Sequence, residues 1–318
     1  MRSQKLQDRA LLINGDCFEA YKKLLDVDFI WTDPPYGRNN NSEGDLISRH
    51  EKARGKGKGQ GSGVDLICTD PPYGHDNNDD DLARRREHAL KGQVGERDEA
   101  RPIQNDDFDT ANRLFIESLP QWERLLKPGG YVCCCCGGGG GHKGNQFARW
   151  TNHLSDVFQF EQAVVWDKGP IGMGWHYRRS YEFVLVAMKK GGKPKWYDES
   201  LTVENIIRPG DYGIKKIIPS AKQHPTEKCV ELAAHFIKLH TEPGDIVFDP
   251  FMGSGSTGVA ALSLGRRFIG VELDERWADY SLGRLKHVIE RKRDLTSTSK
   301  RVARDTKQLL QKSLWTHR

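Results

Sequence analysis

No stretch of the sequence reaches 18 consecutive apolar residues, which excludes a helix long and apolar enough to span a bilayer. The first fifteen residues, MRSQKLQDRALLING, hold no apolar core, so no secretory signal is expected. Disulfides are not expected either. The seven cysteines are odd in number, and Cys133, Cys134, Cys135 and Cys136 are consecutive, a spacing that no disulfide framework uses. Neighbouring residues on a strand face opposite ways, so these four cannot converge on one ion, and no metal site is expected. These absences point to a reducing, cytoplasmic setting. Hydrophobic residues are few, 36% against 29% charged, so long solvated segments are expected beside the core.

Excess positive charge is missing from most of the chain. The formal charge is +5, from 49 Lys+Arg against 44 Asp+Glu. From Arg284 to Arg318 there are 11 Lys/Arg and 3 Asp/Glu, so that stretch carries +8 and the remaining residues −3. Residues 286–318 therefore read as a basic tail, either a solvated, partly helical segment or a contact for a polyanion. Truncation at about Lys286 should weaken such binding and flatten its salt dependence.

What is present is first of all a duplication. Val27–Gly37 (VDFIWTDPPYG) reappears 37 residues later as Val64–Gly74 (VDLICTDPPYG). Between the copies, 54–63 (RGKGKGQGSG) reads as a flexible basic linker, so 38–63 is taken as a duplicated or linker insert. Around it the elements alternate in type. Strands are expected at Leu11–Asn14, Val64–Cys68 (or Val27–Trp31), Tyr131–Cys136, Ala163–Trp166, Glu182–Met188, Asp245–Phe248 and Arg267–Leu273. Helices are expected at Cys17–Leu25, Arg113–Leu126, Ser256–Leu264 and Thr226–His240, the last with Thr226 as N-cap. This alternation argues for an α/β fold with a mostly parallel sheet. The polar stretch 75–107 reads as a long loop.

Two motifs carry chemistry. Val247–Thr257 (VFDPFMGSGST) lies where a strand ends and a helix begins, and its glycines permit close backbone approach of a ligand. The next strand ends in Glu272, an acid placed to meet a ribose diol. The full dinucleotide fingerprint and the lysine of a phosphate-binding loop are both missing, which argues against NAD and ATP. The Asp-Pro-Pro-Tyr tetrad also follows an apolar strand. Asp supplies an anionic acceptor, and Tyr a flat face. Together they can accept hydrogen bonds from an exocyclic amine and stack on its ring. The bland alternative is a polar turn closing a strand.

With these residues in this order, the chain resembles the amino-group DNA methyltransferases that use S-adenosylmethionine, in the permuted β arrangement. The tetrad comes first, then an aromatic-rich middle, then His224-Pro225-Thr226-Glu227-Lys228, then Asp249-Pro250-Phe251-Met252-Gly253-Ser254-Gly255. The resemblance spans about residues 11–285 and implies a Rossmann-like doubly wound methyltransferase sheet, mostly parallel with an antiparallel hairpin strand, over 1–285. It implies S-adenosylmethionine bound by Asp16, Thr226, Lys228, Asp249, Pro250, Phe251, Gly253, Gly255, Thr257 and Glu272, with the cofactor motif at 245–275. Cys229 stands where the family usually has Pro. The chain lacks any Pro-Cys dipeptide, the nucleophile motif of cytosine-C5 enzymes, and it has Asp rather than Ser in both tetrads. Adenine N6 is therefore the favoured target. N4 of cytosine and a catalytically impaired DNA-binding relative remain as alternatives. The catalytic set is Asp70, Pro71, Pro72 and Tyr73, or else the other copy, Asp33, Pro34, Pro35 and Tyr36. The second copy is favoured because it joins the downstream loop without the linker intervening.

Double-stranded DNA is the expected partner, with the base flipped out for reaction. Val165–Lys168 and Tyr181–Val184 bracket a hairpin loop that carries Trp175, His176, Arg178 and Arg179, residues suited to phosphates and bases. A recognition segment is expected at about 169–223, including Trp196, Tyr197, Arg208, Lys215 and Lys216. A structural loop with surface arginines is the competing reading. No membrane contact and no fused endonuclease are expected; a homodimer, common in the family, stays open. A solitary or restriction-modification enzyme of a prokaryotic or phage-infected cell, acting at the nucleoid, fits these expectations.

Overall fold

The computed structural model describes residues 1–26, 63–74, 104–137, 146–169, 180–214 and 227–291. Among the described residues nine strands form one sheet: β1 (Arg2–Leu6), β2 (Ala10–Asn14), β3 (Val64–Thr69), β4 (Leu126–Gly137), β5 (Gln159–Asp167), β6 (Tyr181–Met188), β7 (Ile206–Ile207), β8 (Ile246–Asp249) and β9 (Arg267–Glu272). Their order across the sheet is β1-β2-β9-β8-β3-β4-β6-β5-β7. The run from β2 to β4 is parallel, β6 is antiparallel to both β4 and β5, and β1 returns antiparallel at one edge. This is the mostly parallel sheet with an antiparallel hairpin that the sequence implied.

Helices cover both faces. On one side lie α1 (Cys17–Asp26), α2 (Phe108–Leu125) and α3 (Gln146–Val157). Their residues Tyr21, Phe115, Trp122, Trp150 and Leu154 pack with Ile67, Cys134, Cys136 and Phe248. On the other side lie α4 (Val230–His240), α5 (Ser256–Ser263) and a helix over 275–291, here α6. Their residues Leu232, Phe236, Ala261, Leu282 and Leu285 pack with Leu66, Cys68, Cys133 and Cys135. The cysteine run thus alternates between two apolar layers, as the period of a strand requires. All seven cysteines are free, and the described residues contain no metal-binding cluster.

Three expectations shift. The fourth helix begins at Val230 rather than Thr226: Cys229 is extended (φ −68°, ψ 138°), and Thr226 lies outside the described residues. The basic region does not start cleanly at 286. Helix α6 continues to 291 and buries Leu285 and Ile289, so a tail truncation must fall after 291 to spare the core. Strand β1, with one apolar residue, and the two-residue β7 are too slight to be read from sequence, and helix α3 goes unread although Phe147, Trp150 and Leu154 recur at helical spacing. The first tetrad copy and the linker lie outside the described residues.

Strand β3 is buried along all six residues, as a central parallel strand must be. It carries one charge, Asp65, which is 1% exposed. Its carboxylate accepts from Lys127 Nζ (2.9 and 3.0 Å), from the Ile246 amide (2.9 Å) and from Lys195 Nζ. These bonds tie β3 to β4, to β8 and to the segment after β6. Burial alone would raise the Asp65 carboxyl, but the Ile246 amide and the Lys195 and Lys127 ammoniums outweigh it and hold it below the usual carboxylate range.

Asp65→Asn leaves two ammoniums without their anion and should cost about 3 kcal/mol at neutral pH. Because the folded carboxyl is the stronger acid, its contribution is present above the unfolded value of about 4 and is lost as pH falls through the lower folded value. Urea unfolding of both proteins across the acid range measures this. An equal gap between them at neutral pH and at pH about 2 would contradict it.

Candidate active site

The cavity opens at the carboxyl ends of β3, β8, β9 and β2. The helices that follow β8 and β9 pass to one face and those that follow β3 and β2 to the other, which leaves a crevice between. It is lined by Asp70, Pro71, Pro72 and Tyr73, by Gly15 and Asp16, by Lys228, by Pro250, Phe251 and Gly253, and by Glu272, Leu273, Asp274 and Trp277. Residues 104–106, which precede α2, complete the wall.

Asp70 directly follows β3. Its Oδ2 meets Lys228 Nζ at 3.0 Å. Its Oδ1 is shielded from water and has no hydrogen-bond partner among the described residues. Burial raises the Asp70 carboxyl; Lys228 opposes that and Glu182 adds to it. The turn that follows is held by its backbone. Asp106 Oδ1 accepts from the Tyr73 and Gly74 amides (3.0 and 2.9 Å), and Gln146 Nε2 donates to the Tyr73 carbonyl at 2.8 Å. Gly74 has φ +70°, and a Cβ there would lie 2.7 Å from Phe108 Cα, so only glycine fits between the tetrad and α2.

Lys228 bridges two acids. Its ammonium lies 3.0 Å from Asp70 Oδ2 and 3.0 Å from Glu182 Oε2, and 4.9 Å from the centre of the Tyr73 ring. Glu182, on β6, also takes Lys168 Nζ at 2.8 Å and the Tyr73 hydroxyl at 3.4 Å. Burial would raise the Glu182 carboxyl, but Lys228 and Lys168 outweigh it and bring it down to about 2. Burial would likewise lower Lys228, but Asp70 and Glu182 outweigh it, so the ammonium stays charged. Lys228 stands outside α4, before the extended Cys229. Glu227 is fixed by Arg284 at 3.0 Å, and Arg284 also donates to the Ser254 carbonyl at 2.8 Å.

The glycine-rich turn and β9 form the opposite wall. Glu272 Oε2 accepts from the Gly253 amide (2.7 Å) and Oε1 from the Asp274 amide (2.9 Å). Asp16 caps α1 through the Phe18 and Glu19 amides (2.9 and 3.3 Å) and lines the cavity. Three residues expected at the cofactor stand behind this wall. Asp249 is 2% exposed and accepts from Thr69 Oγ1 at 2.7 Å and from the Phe251 amide at 3.1 Å. Thr257 bonds to Asp249 from the first turn of α5. Gly255, at φ +80°, caps α5 and lets α6 approach, because a Cβ there would lie 2.8 Å from Ser281 Cβ.

Of the expected DNA contacts, Trp175, His176, Arg178, Arg179, Lys215 and Lys216 lie outside the described residues. Trp196 and Tyr197 follow Lys195, which is anchored at Asp65 near the start of β3. That is the far end of the sheet from Asp70, roughly 17 Å along the strand, so they do not join this cavity. Sequence reading missed Glu182, Lys168, Asp106 and Trp277. Glu182 could have been found as the lone acid inside an apolar strand, YEFVLVAM.

Asp249 generates a pH prediction. Burial raises its carboxyl to about 7. The unfolded chain loses this proton near ~4, so the native state binds more protons in between, and stability falls as pH rises through that window. Asp249→Asn keeps an acceptor for Thr69 and Phe251. It should remove roughly 2–4 kcal/mol of that fall, read by urea unfolding at about pH 5 and about pH 8. Parallel curves for the two proteins would contradict the assignment.

Comparisons with known proteins agree with this geometry. The sequence model described as DNA methylase, for N6 and N4 enzymes, matches residues 64–282. DNA adenine methyltransferase YhdJ of Escherichia coli (strain K12) is 27% identical over 156 residues, 41% of this chain and 53% of that protein. Type II methyltransferase M2.DpnII of Streptococcus pneumoniae is 32% identical over 140 residues, 41% of this chain and 52% of that protein. The chain thus spans about half the length of these curated relatives. Among solved structures, the M1.HpyAVI–SAM complex superposes with TM-score 0.51 at 24% identity, covering 87% of this chain and 99% of that one. The cytosine-N4-specific PvuII DNA methyltransferase superposes with TM-score 0.53 at 17% identity, covering 87% and 86%, a likeness of fold. With its match running from the central strand into the last helix, the chain belongs to the N6/N4 DNA methylase family.

Proposed function

We propose that the protein transfers a methyl group from S-adenosylmethionine to the N6 amino group of adenine in double-stranded DNA. The observation that carries this reading is Asp70. It ends the central strand at the cavity, with one oxygen held by Lys228 and the other without a partner among the described residues. A buried acceptor with no donor calls for an explanation, and an exocyclic amine supplies one. A turn of the carboxylate about its last torsion offers that oxygen to the amine, while the Tyr73 ring offers a stacking face.

The opposite wall suits a nucleoside cofactor. The Glu272 carboxylate is oriented by the Gly253 and Asp274 amides, and a carboxylate has capacity for further donors such as the hydroxyls of a ribose. Phe251, Leu273 and Trp277 supply apolar surface for a purine beside it. When bound, S-adenosylmethionine supplies a sulfonium methyl: the N–C bond forms as the C–S bond breaks, its electron pair returns to sulfur, and the amine gives up one proton. The chain's own part is positioning and electrostatics. Asp70 and the Pro71 carbonyl accept the two amine N–H bonds and turn the nitrogen lone pair toward the methyl group. Asp70 is the nearest base for the departing proton. Asp in the tetrad, and the adenine methyltransferase among the relatives, favour adenine over cytosine. Residues 169–223 and the basic stretch beyond 291 are the proposed DNA contacts, and the cytoplasm the proposed setting.

The second tetrad copy is the proposed catalytic one, since Val64–Thr69 forms the central strand and Asp70 meets the cavity. Asp70→Ala should therefore abolish methyl transfer to unmethylated DNA, and Asp33→Ala should not. Labelled methyl transfer to DNA, to RNA and with no acceptor tests the substrate, and nucleoside analysis of the DNA tests the base. Full activity in Asp70→Ala would overturn the choice of copy; transfer only to RNA would overturn the substrate, and N4-methylcytosine as product the base.

A further inference from the structure

Glu182 lies outside the cavity wall, yet both side chains that flank Asp70 converge on it. Lys228 has a long stem with three freely rotating donors. With Asp70 as its sole anion, its ammonium could slide between the two carboxylate oxygens and cover both. It does not, because it is also anchored at 3.0 Å to Glu182 Oε2. Glu182 in turn cannot drift. Its backbone is paired to β4 at Gly137 and to β5 at Trp166, and its Oε1 takes Lys168 at 2.8 Å. The same Oε2 accepts from the Tyr73 hydroxyl at 3.4 Å. The four charges alternate along a line, Asp70, Lys228, Glu182 and Lys168, so the assembly is neutral and can be buried without an uncompensated charge.

Building on the transferase reading above, we propose that Glu182 is a positioning residue for methyl transfer. From the antiparallel hairpin it holds Lys228 on one oxygen of Asp70, leaves the other for the substrate amine, and fixes the Tyr73 ring. The hairpin of this sheet is thereby part of the active site, although none of its described residues lines the cavity.

Glu182→Gln keeps the size of the side chain and removes its charge. The variant should lose roughly tenfold or more in kcat, with the KM for DNA and the Kd for S-adenosylmethionine within about twofold of wild type. Lys168→Met, which frees Glu182 from its other anchor, should lower kcat in the same sense by a smaller factor. A readout independent of turnover is the Lys228 ammonium signal in 15N-lysine-labelled protein without ligands. It should be protected from exchange in the parent and lost to exchange in Glu182→Gln. Wild-type kcat per folded molecule and an unchanged ammonium signal in Glu182→Gln would overturn the role of Glu182. A parent protein that transfers no methyl group to DNA would instead overturn the transferase reading, whatever the lysine signal shows.

Discussion

Strand β3 has no free face. All six of its residues are buried between two helical layers, and neighbours pair on both sides. A strand in that position can carry charge only where partners are built for it. Asp65 has two lysines and an amide at one end, and Asp70 has Lys228 at the other. The first pins the strand's register against β4 and β8. The second meets the crevice where the flanking helices part. The position of the Asp70 carboxylate is thus fixed by the same register that fixes the core.

The cavity shows a division of labour between local and distant residues. The tetrad, the glycine-rich turn and Glu272 each occupy a few consecutive positions at strand ends, so sequence spacing alone brings them to one edge. The groups that hold them come from elsewhere in the chain. Asp106 and Gln146 grip the tetrad's backbone from the start of α2 and α3, while Glu182 and Lys168 reach in from the hairpin. Charge inside this site is managed largely by pairing, and Asp249, whose described partners are neutral donors, is driven toward its protonated form.

That division also explains what could be read in advance. Apolar patterning places β2, β3, β6, β8, β9 and helices α1 and α5 within about two residues of their observed bounds, whereas β4 and α2 begin well before the expected Tyr131 and Arg113, at Leu126 and Phe108. Strand β1 (RSQKL) has a single apolar residue and is held by antiparallel pairing with β2, which its sequence does not announce. Thr226-Glu227-Lys228 resembles a helix entry, yet α4 starts only after the extended Cys229, and Lys228 meets Asp70 from outside the helix. Glu182 stands out in YEFVLVAM as the one acid of an apolar strand, but a single strand does not show which charges neutralise it; those come from Lys228 and Lys168. Trp196 and Tyr197 looked like recognition residues by composition, but the anchoring of Lys195 to Asp65 takes them to the opposite end of the sheet.

The cysteine run on β4 has a consequence for how the molecule can be watched. Cys133 and Cys135 face one helical layer, and Cys134 and Cys136 the other. Burial pushes all four thiols upward, away from the reactive thiolate. Adjacent atoms of one strand therefore report separately on two halves of the interior. A thiol reagent would reach each pair only when its own layer parts from the sheet, so the labelling order would tell which side of the protein breathes first.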